Sequence, residues 1–157
     1  VYHAAAYKHV PLVEENICSG VKNNVYSTLA VANASVKKKI SNLVLISSDK
    51  AVRPTNIMGA SKRLAELCMQ GVYNYYNTKT NFSIVRFGNV FGSSGSAINN
   101  FIDKINSESP IEITSKNASR YFMTVLEACH LVLKTTSIYS KQNIFIFHLV
   151  VILLLYI

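Results

Sequence analysis

Apolar residues fall into two patterns along this chain. Short, largely apolar runs at Val1–Ala6, Leu43–Ile46, Phe82–Phe87 and Ile144–Phe147 read as buried strands, with a shorter one at Ile111–Thr114 after Pro110. Between them, apolar positions recur at helical spacing. Val21, Val25, Leu29, Ala32 and Val36 predict a helix, closed by Lys37-Lys38-Lys39, whose charges suit a helix C-terminus. A second helix is predicted from Gly59 to Asn77, with Leu64, Leu67 and Cys68 on one side. Ala97–Asn106 and Val125–Lys134 read as further helices, and the glycine- and serine-rich stretch Gly88–Ser96 as a loop. Buried strands alternating with amphipathic helices predict an α/β fold with a parallel sheet and right-handed crossovers. In such a sheet, ligands bind at the carboxyl ends of the strands, here Ala4–Lys8, Ser47–Lys50 and Gly88–Ser94.

Composition narrows the class. The chain has 157 residues, 50% hydrophobic and 15% charged, which fits one domain and argues against disorder. No collagen, heptad or solenoid period occurs. The formal charge of +8 suits an anionic partner: nucleic acid, an anionic membrane surface or a phosphate-bearing small molecule. The lysine triplet has no interleaved aromatic residues, as a single-strand nucleic-acid groove would, and no nucleic-acid partner is expected. Cys18, Cys68 and Cys129 form no C-x-x-C pair, so no metal site is expected and they read as reduced, buried thiols in a cytoplasmic setting. The apolar end from Ile144 to Ile157 is short for a membrane-spanning helix. It reads as a buried strand running into a tail, as a readthrough or frameshifted tail, or as an anchor.

Four sites hold residue types able to do chemistry. Ser48-Asp49-Lys50 puts a carboxyl and an amine at a strand mouth, either as general acid and base or as a solvated ion pair. Met58 and Lys62 are four apart and share a helix face, where a lysine either holds ribose hydroxyls or is solvated. Arg86, Asn89 and Gly92-Ser93-Ser94-Gly95-Ser96 form either a phosphate cradle or a flexible turn. Arg120-Tyr121-Phe122 either pairs with a diphosphate and stacks on a base, or packs as an aromatic pair beside a solvated cation.

Taken together, HAAAYKHVPL (3–12), SSDKAVRPTNIMGASKRLAE (47–66), RFGNVFGSSGS (86–96) and SRYFMT (119–124) resemble the extended short-chain dehydrogenase/reductase superfamily. Within it they are similar to the CapD-like nucleotide-sugar 4,6-dehydratases of polysaccharide biosynthesis. The resemblance covers residues 1 to about 135 and is most specific over 47–66. It implies a Rossmann-like sheet and a lyase reaction that turns UDP-N-acetylglucosamine, or another UDP-N-acetylhexosamine, into its 4-keto-6-deoxy form. A bound NAD or NADP takes a hydride from sugar carbon 4 and returns it to carbon 6.

The resemblance also implies roles. Asp49 is the acid that helps hydroxide leave carbon 6, Lys50 the base at carbon 5, and Ser48 a hydrogen-bonding partner near the 4-hydroxyl. Lys62 holds the nicotinamide ribose, Ala4 and Ala5 line the cofactor, and Asn24 supports the site from its helix. Asn89, Ser93 and Ser94 contact the nucleotide sugar, and Arg120 its diphosphate. Met58 stands where most of the superfamily has the tyrosine of Y-x-x-x-K. A thioether cannot take a proton as a phenolate does. M-G-A-S-K also marks the membrane-attached branch, so the base at the 4-hydroxyl stays open between Asp49, a water and a group outside the chain.

The glycine-rich pyrophosphate turn of the superfamily does not occur here. The expectation is a partial domain over 1–147, lacking its first strands, with 148–157 an apolar tail. Such a fragment is expected to be inactive alone. Its full-length parent would be a homo-oligomer, in the cytoplasm or at the cytoplasmic face of the membrane and attached only through upstream segments. The alternatives are a 4,6-dehydratase that also inverts carbon 5, and a non-catalytic remnant or interaction module.

Overall fold

A computed structural model describes residues 1–93, 97–111, 119–138, 142–147 and 152–154. It forms two compact units, one of residues 1–87 with 132–147, the other of residues 88–131 with 148–157.

The first unit is built on a four-stranded sheet. Its strands are β1 (Tyr2–His3), β2 (Asn42–Ile46), β3 (Asn81–Phe87) and β6 (Gln142–Phe147), in the order β1-β2-β3-β6. Every pairing is parallel, with His3 beside Leu45, Leu45 beside Ile84 and Ile84 beside Ile144. All carboxyl ends therefore lie on one edge. The predicted strand over Val1–Ala6 shrinks to Tyr2–His3, because the register with β2 ends at His3; Val1 still bonds Asn42 and Val44 of that strand.

Between β1 and β2 the chain is helical: α1 (Val10–Glu15), α2 (Ile17–Val21), a π-helical segment (Lys22–Tyr26) and α3 (Ser27–Lys37). The single helix predicted over 21–36 thus starts earlier and carries a π turn, an irregularity that apolar spacing does not encode. Gly20 lets α2 settle on α1, since a Cβ there would lie 2.7 Å from Val13 Cγ1.

Helix α4 (Ile57–Tyr76) connects β2 to β3. Its first turn is capped twice: Asn56 Oδ1 accepts from the Gly59 amide at 2.8 Å, and Glu14 Oε1 accepts from the Ile57 amide at 2.6 Å. It ends at Asn77 in the left-handed conformation (φ 44°). Leu43, Leu45, Phe82 and Ile84 of the sheet close against Ala32 of α3 and Met69 and Val72 of α4. Each such large side chain contributes about 1.5–3 kcal/mol by leaving water.

The expected apolar side of α4 is corrected. Leu64 and Leu67 are 45% and 46% exposed and Cys68 is half-buried, while Met58, Ser61, Lys62, Ala65, Glu66, Met69 and Val72 face inward. The thiols are corrected too, since Cys18 and Cys129 are exposed.

The second unit holds β4 (Asn89–Val90), α5 (Ala97–Asn106), β5 (Ser119–Met123) and β7 (Ile152–Leu154). Strand β5 pairs parallel with β4 and antiparallel with β7, which places part of the apolar tail in a sheet. Helix α6 (Val125–Ser137) runs from the second unit into the first. The strand expected after Pro110 falls mostly outside the described residues. Among the described residues, no helix is long and apolar enough to cross a membrane.

Candidate active site

The carboxyl ends of β1 and β2 and the first turns of α4 gather most of the expected site residues. Ser48 caps a 3-10 turn over Asp49–Ala51, its Oγ accepting from the Lys50 amide at 3.2 Å. The Ser48 hydroxyl donates to Asp49 Oδ1 at 2.9 Å, and Lys50 Nζ donates to the same oxygen at 3.0 Å. The Asp49 and Lys50 side chains are 52% and 40% exposed, so the pair faces solvent at the mouth of β2.

Helix α4 fixes that turn from behind. A Cβ at Gly59 would lie 2.3 Å from the Lys50 carbonyl oxygen, so only glycine permits this approach. One residue earlier, Met58 is buried. One turn later, Lys62 is 8% exposed and its Nζ donates to the Ile46 carbonyl at 3.0 Å. Burial brings the Lys62 amine down to about 8, against an upward pull from Glu66.

The loop after β1 is held by Asn24, which is buried in the π-helical segment. Its Oδ1 accepts from the Tyr7 amide at 2.7 Å and from Asn23 Nδ2 at 3.2 Å. Its Nδ2 donates to the Tyr7 carbonyl at 3.0 Å and to Ser61 Oγ at 2.9 Å. All four bonding positions of the amide are used, and a flipped amide would set oxygen against oxygen at Tyr7. Ser61 in turn donates to the Met58 carbonyl at 2.7 Å. One side chain therefore joins the β1 loop, the π turn and the start of α4. Ala4 and Ala5 stand exposed in that loop with nothing larger than a methyl group.

Behind them, His3 is buried and its Nε2 lies 3.1 Å from Thr28 Oγ1. The Thr28 hydroxyl donates to the Asn24 carbonyl at 2.8 Å, so it accepts from histidine, which places the imidazole proton on Nε2. Burial, and then the positive charge of Lys62, push the His3 pKa down.

Sequence reasoning missed a further buried cluster. Glu66 Oε1 accepts from Ser47 Oγ at 2.5 Å and from Arg86 Nε at 2.8 Å. Its Oε2 accepts from Arg86 Nη2 at 2.5 Å and from Arg63 Nη1 at 2.9 Å. Burial alone would raise the carboxyl, but the bonds from Arg86, Ser47 and Arg63 outweigh it and hold Glu66 below the usual carboxylate range. Arg86 lies inside β3 and is committed to Glu66, not to the loop that follows. The position of Glu66 one turn beyond Lys62 was the only signal in the sequence, and it named no partner.

The expected substrate residues belong to the second unit. Asn89 opens β4 and pairs with Phe122. Ser93 follows Gly92, whose φ of +68° favours glycine, and its amide donates to the Val90 carbonyl at 3.3 Å. The Ser93 carbonyl accepts from Asn99 Nδ2 at 3.4 Å. The rings of Phe91 and Phe122 pack 4.8 Å apart. Arg120 lies on β5, its backbone paired with Leu153, and Ser94 is outside the described residues. No cluster of histidine, cysteine, aspartate or glutamate among the described residues could hold a metal.

Comparison with known proteins shows the family and the fold. A family model described as "Polysaccharide biosynthesis protein" matches residues 1–155. The capsular polysaccharide biosynthesis protein CapD of Staphylococcus aureus is 47% identical over 146 residues, covering 93% of this chain and 24% of that protein. Among solved structures, Pen from Bacillus thuringiensis aligns with a TM-score of 0.87 at 37% identity, over 93% of this chain and 46% of that one. The dTDP-glucose 4,6-dehydratase DesIV of Streptomyces venezuelae, solved with NAD bound, shares the fold at a TM-score of 0.81 and 18% identity, over 92% of this chain and 50% of that one. The chain thus spans about a quarter of the length of its curated relative.

Proposed function

Because the chain belongs to the polysaccharide biosynthesis protein family of nucleotide-sugar dehydratases and epimerases, we propose that it carries the catalytic part of a 4,6-dehydratase acting on UDP-N-acetylglucosamine. The observation that carries this reading is the exposed Asp49–Lys50 pair at the mouth of β2, pinned to the helix that bears Lys62. A plain 4-epimerase has no use for such a pair.

The residues present fit a nicotinamide cofactor. The methyl side chains of Ala4 and Ala5 leave room for a flat ring, and Lys62, its Nζ bonded to the Ile46 carbonyl at the mouth of β2, is assigned to the ribose. That cofactor, NAD or NADP, supplies hydride acceptance and return. The chain's own residues handle protons. One proton moved across the 3.0 Å contact turns the Asp49–Lys50 ion pair into a carboxylic acid and a free amine. Those are the forms the two roles require: the amine takes the carbon 5 proton, and the acid protonates the hydroxide leaving carbon 6. Water opposes that transfer, and a sugar closing over the pair removes the water. Ser48, bonded to the same carboxylate oxygen, stands beside the pair as a partner for the 4-hydroxyl. Asn89, Ser93, Ser94 and Arg120 are assigned to the nucleotide sugar in the second unit.

The test is to incubate the full-length protein containing this segment with UDP-N-acetylglucosamine in heavy water. The expected product is a 4-keto-6-deoxy sugar with deuterium at carbon 5. Recovery of unlabelled substrate or of a carbon 4 epimer would overturn the reading. Inversion at carbon 5 would make the enzyme a dehydratase that also epimerises.

The proposal extends to assembly and place. Leu64 and Leu67 leave an apolar strip on the outer side of α4, continued by Tyr75 past Gly71, around which nothing lies within 4 Å. A second copy of the protein would cover it. Light scattering should show an oligomer that Leu64→Glu/Leu67→Glu breaks into monomers. The substrate places the work in the cytoplasm, or at the cytoplasmic face of a membrane reached through other segments.

A further inference from the structure

We infer that Glu66 is a positioning residue of this site: its carboxylate fixes the height and rotation of α4 against the ends of β2 and β3, and it is the buried anion beside the Lys62 amine. The inference rests on the proposed role of Lys62 at the cofactor.

Helix α4 holds the strand end at three points. Lys62 bonds the Ile46 carbonyl at 3.0 Å, Glu66 accepts from Ser47 Oγ at 2.5 Å, and Gly59 packs on the Lys50 carbonyl. The segment from Ile46 to Lys50 is therefore clamped along three successive turns of one helix. Glu66 adds a bidentate bond to Arg86, the penultimate residue of β3, just before the chain passes to the expected substrate residues. With 0% exposure, Glu66 has exchanged all its water for four directional bonds.

A buried ion pair stabilises a fold no better than well-packed apolar residues would. Its value here is directional, because the bonds from Ser47 at the end of β2 and from Arg86 on β3 set α4 against both strands, while Arg63, on α4 itself, holds the carboxylate in place. It is also electrostatic. The elements around Lys62 carry His3 on β1, Glu14 and Glu15 on α1, Lys22 in the π segment, Lys37 on α3, Asp49 and Lys50 in the turn, and Arg63 and Arg86. Among the described residues, Glu66 is the only acidic one in the buried set. Without it, the amine would keep the Ile46 carbonyl as its partner but no buried anion, since Glu14 and Asp49 are exposed.

The experiment is site-resolved acetylation of the intact chain with acetic anhydride over a pH series, reading Lys62 by mass spectrometry. Glu66→Gln keeps the shape and removes the charge. The Lys62 midpoint should fall by about one pH unit, read as roughly tenfold faster acetylation below the midpoint. Ser47→Ala removes one bond but no charge and should leave the midpoint in place, which separates the electrostatic role from a general loosening. If Glu66→Gln does not fold, Glu66→Met fills the same space, removes the carboxylate and leaves Arg86 in place, and the same direction of shift is expected. An unchanged midpoint in a folded Glu66 variant overturns the inference. The readout needs no cofactor or substrate. Protection of Lys62 by added NAD tests the cofactor reading separately, and that reading can fail while the Glu66 result stands.

Discussion

The α-carbon of Gly59 lies so close to the Lys50 carbonyl that a methyl group there would sit 2.3 Å from the oxygen. Gly59→Ala must therefore push the Asp49–Lys50 turn off helix α4. We expect a loss of about 1–3 kcal/mol, as for other overpacked sites. Gly71 is the control. It lies in the same helix with open space around it, so Gly71→Ala should stabilise by about 0.5–1 kcal/mol through helix propensity. Urea unfolding of both variants checks the pair, and equal effects would remove the argument for Gly59.

Asn24 should be as sensitive. Asn24→Ala strips partners from both backbone groups of Tyr7 and from Ser61. The expected cost is about 1–3 kcal/mol for the buried groups left unpaired. Amide exchange at Tyr7 should rise well beyond that change in global stability, because its acceptor is lost directly.

Lys62 should write a pH dependence into stability. Its amine sits near 8 when folded, below the ordinary 10.5 of the unfolded chain. Between those values the unfolded chain binds a proton that the folded one lacks, so stability rises with pH across that window. The rise is about 3 kcal/mol at most from this group. Lys62→Met should flatten the slope, as followed by denaturant unfolding from pH 7.5 to 10.5.

His3 acts at the acid end. Its folded pKa lies below the ordinary 6.5, so its contribution is fully present above 6.5 and is lost as pH falls through 6.5 towards the folded value. His3→Gln should remove this loss. Lys62→Met should reduce it, since Lys62 is one of the two causes of the shift. Unfolding midpoints between pH 7 and pH 5 test both, and an unaltered acid limb in His3→Gln would assign it to another group.

Much of the fold was legible because burial leaves a period in sequence. The runs around Leu43–Ile46 and Phe82–Phe87 read as two-sided buried strands, and both are interior strands of the parallel sheet. That Ser47–Lys50 and Ala4–Lys8 share one edge followed from chain direction, because parallel strands put their carboxyl ends together. Met58 and Lys62 shared a face by helical spacing alone, and both are buried.

Hydropathy misjudged α4, and the reason is physical. It ranks Leu64 and Leu67 above Ser61, Lys62 and Glu66, yet the polar three are buried and the two leucines are exposed. A polar side chain enters a protein when its bonds are met, and those partners come from β2, β3 and the π turn, far away in the chain. The sequence by itself determined the alternation of strands and helices, the edge where the strands end and the placing of Asp49 and Lys50 at that edge. Only the tertiary structure decided which face of α4 turns inward, that Gly59 must be glycine and that Glu66 and Arg86 are partners, because each depends on groups that folding alone brings together.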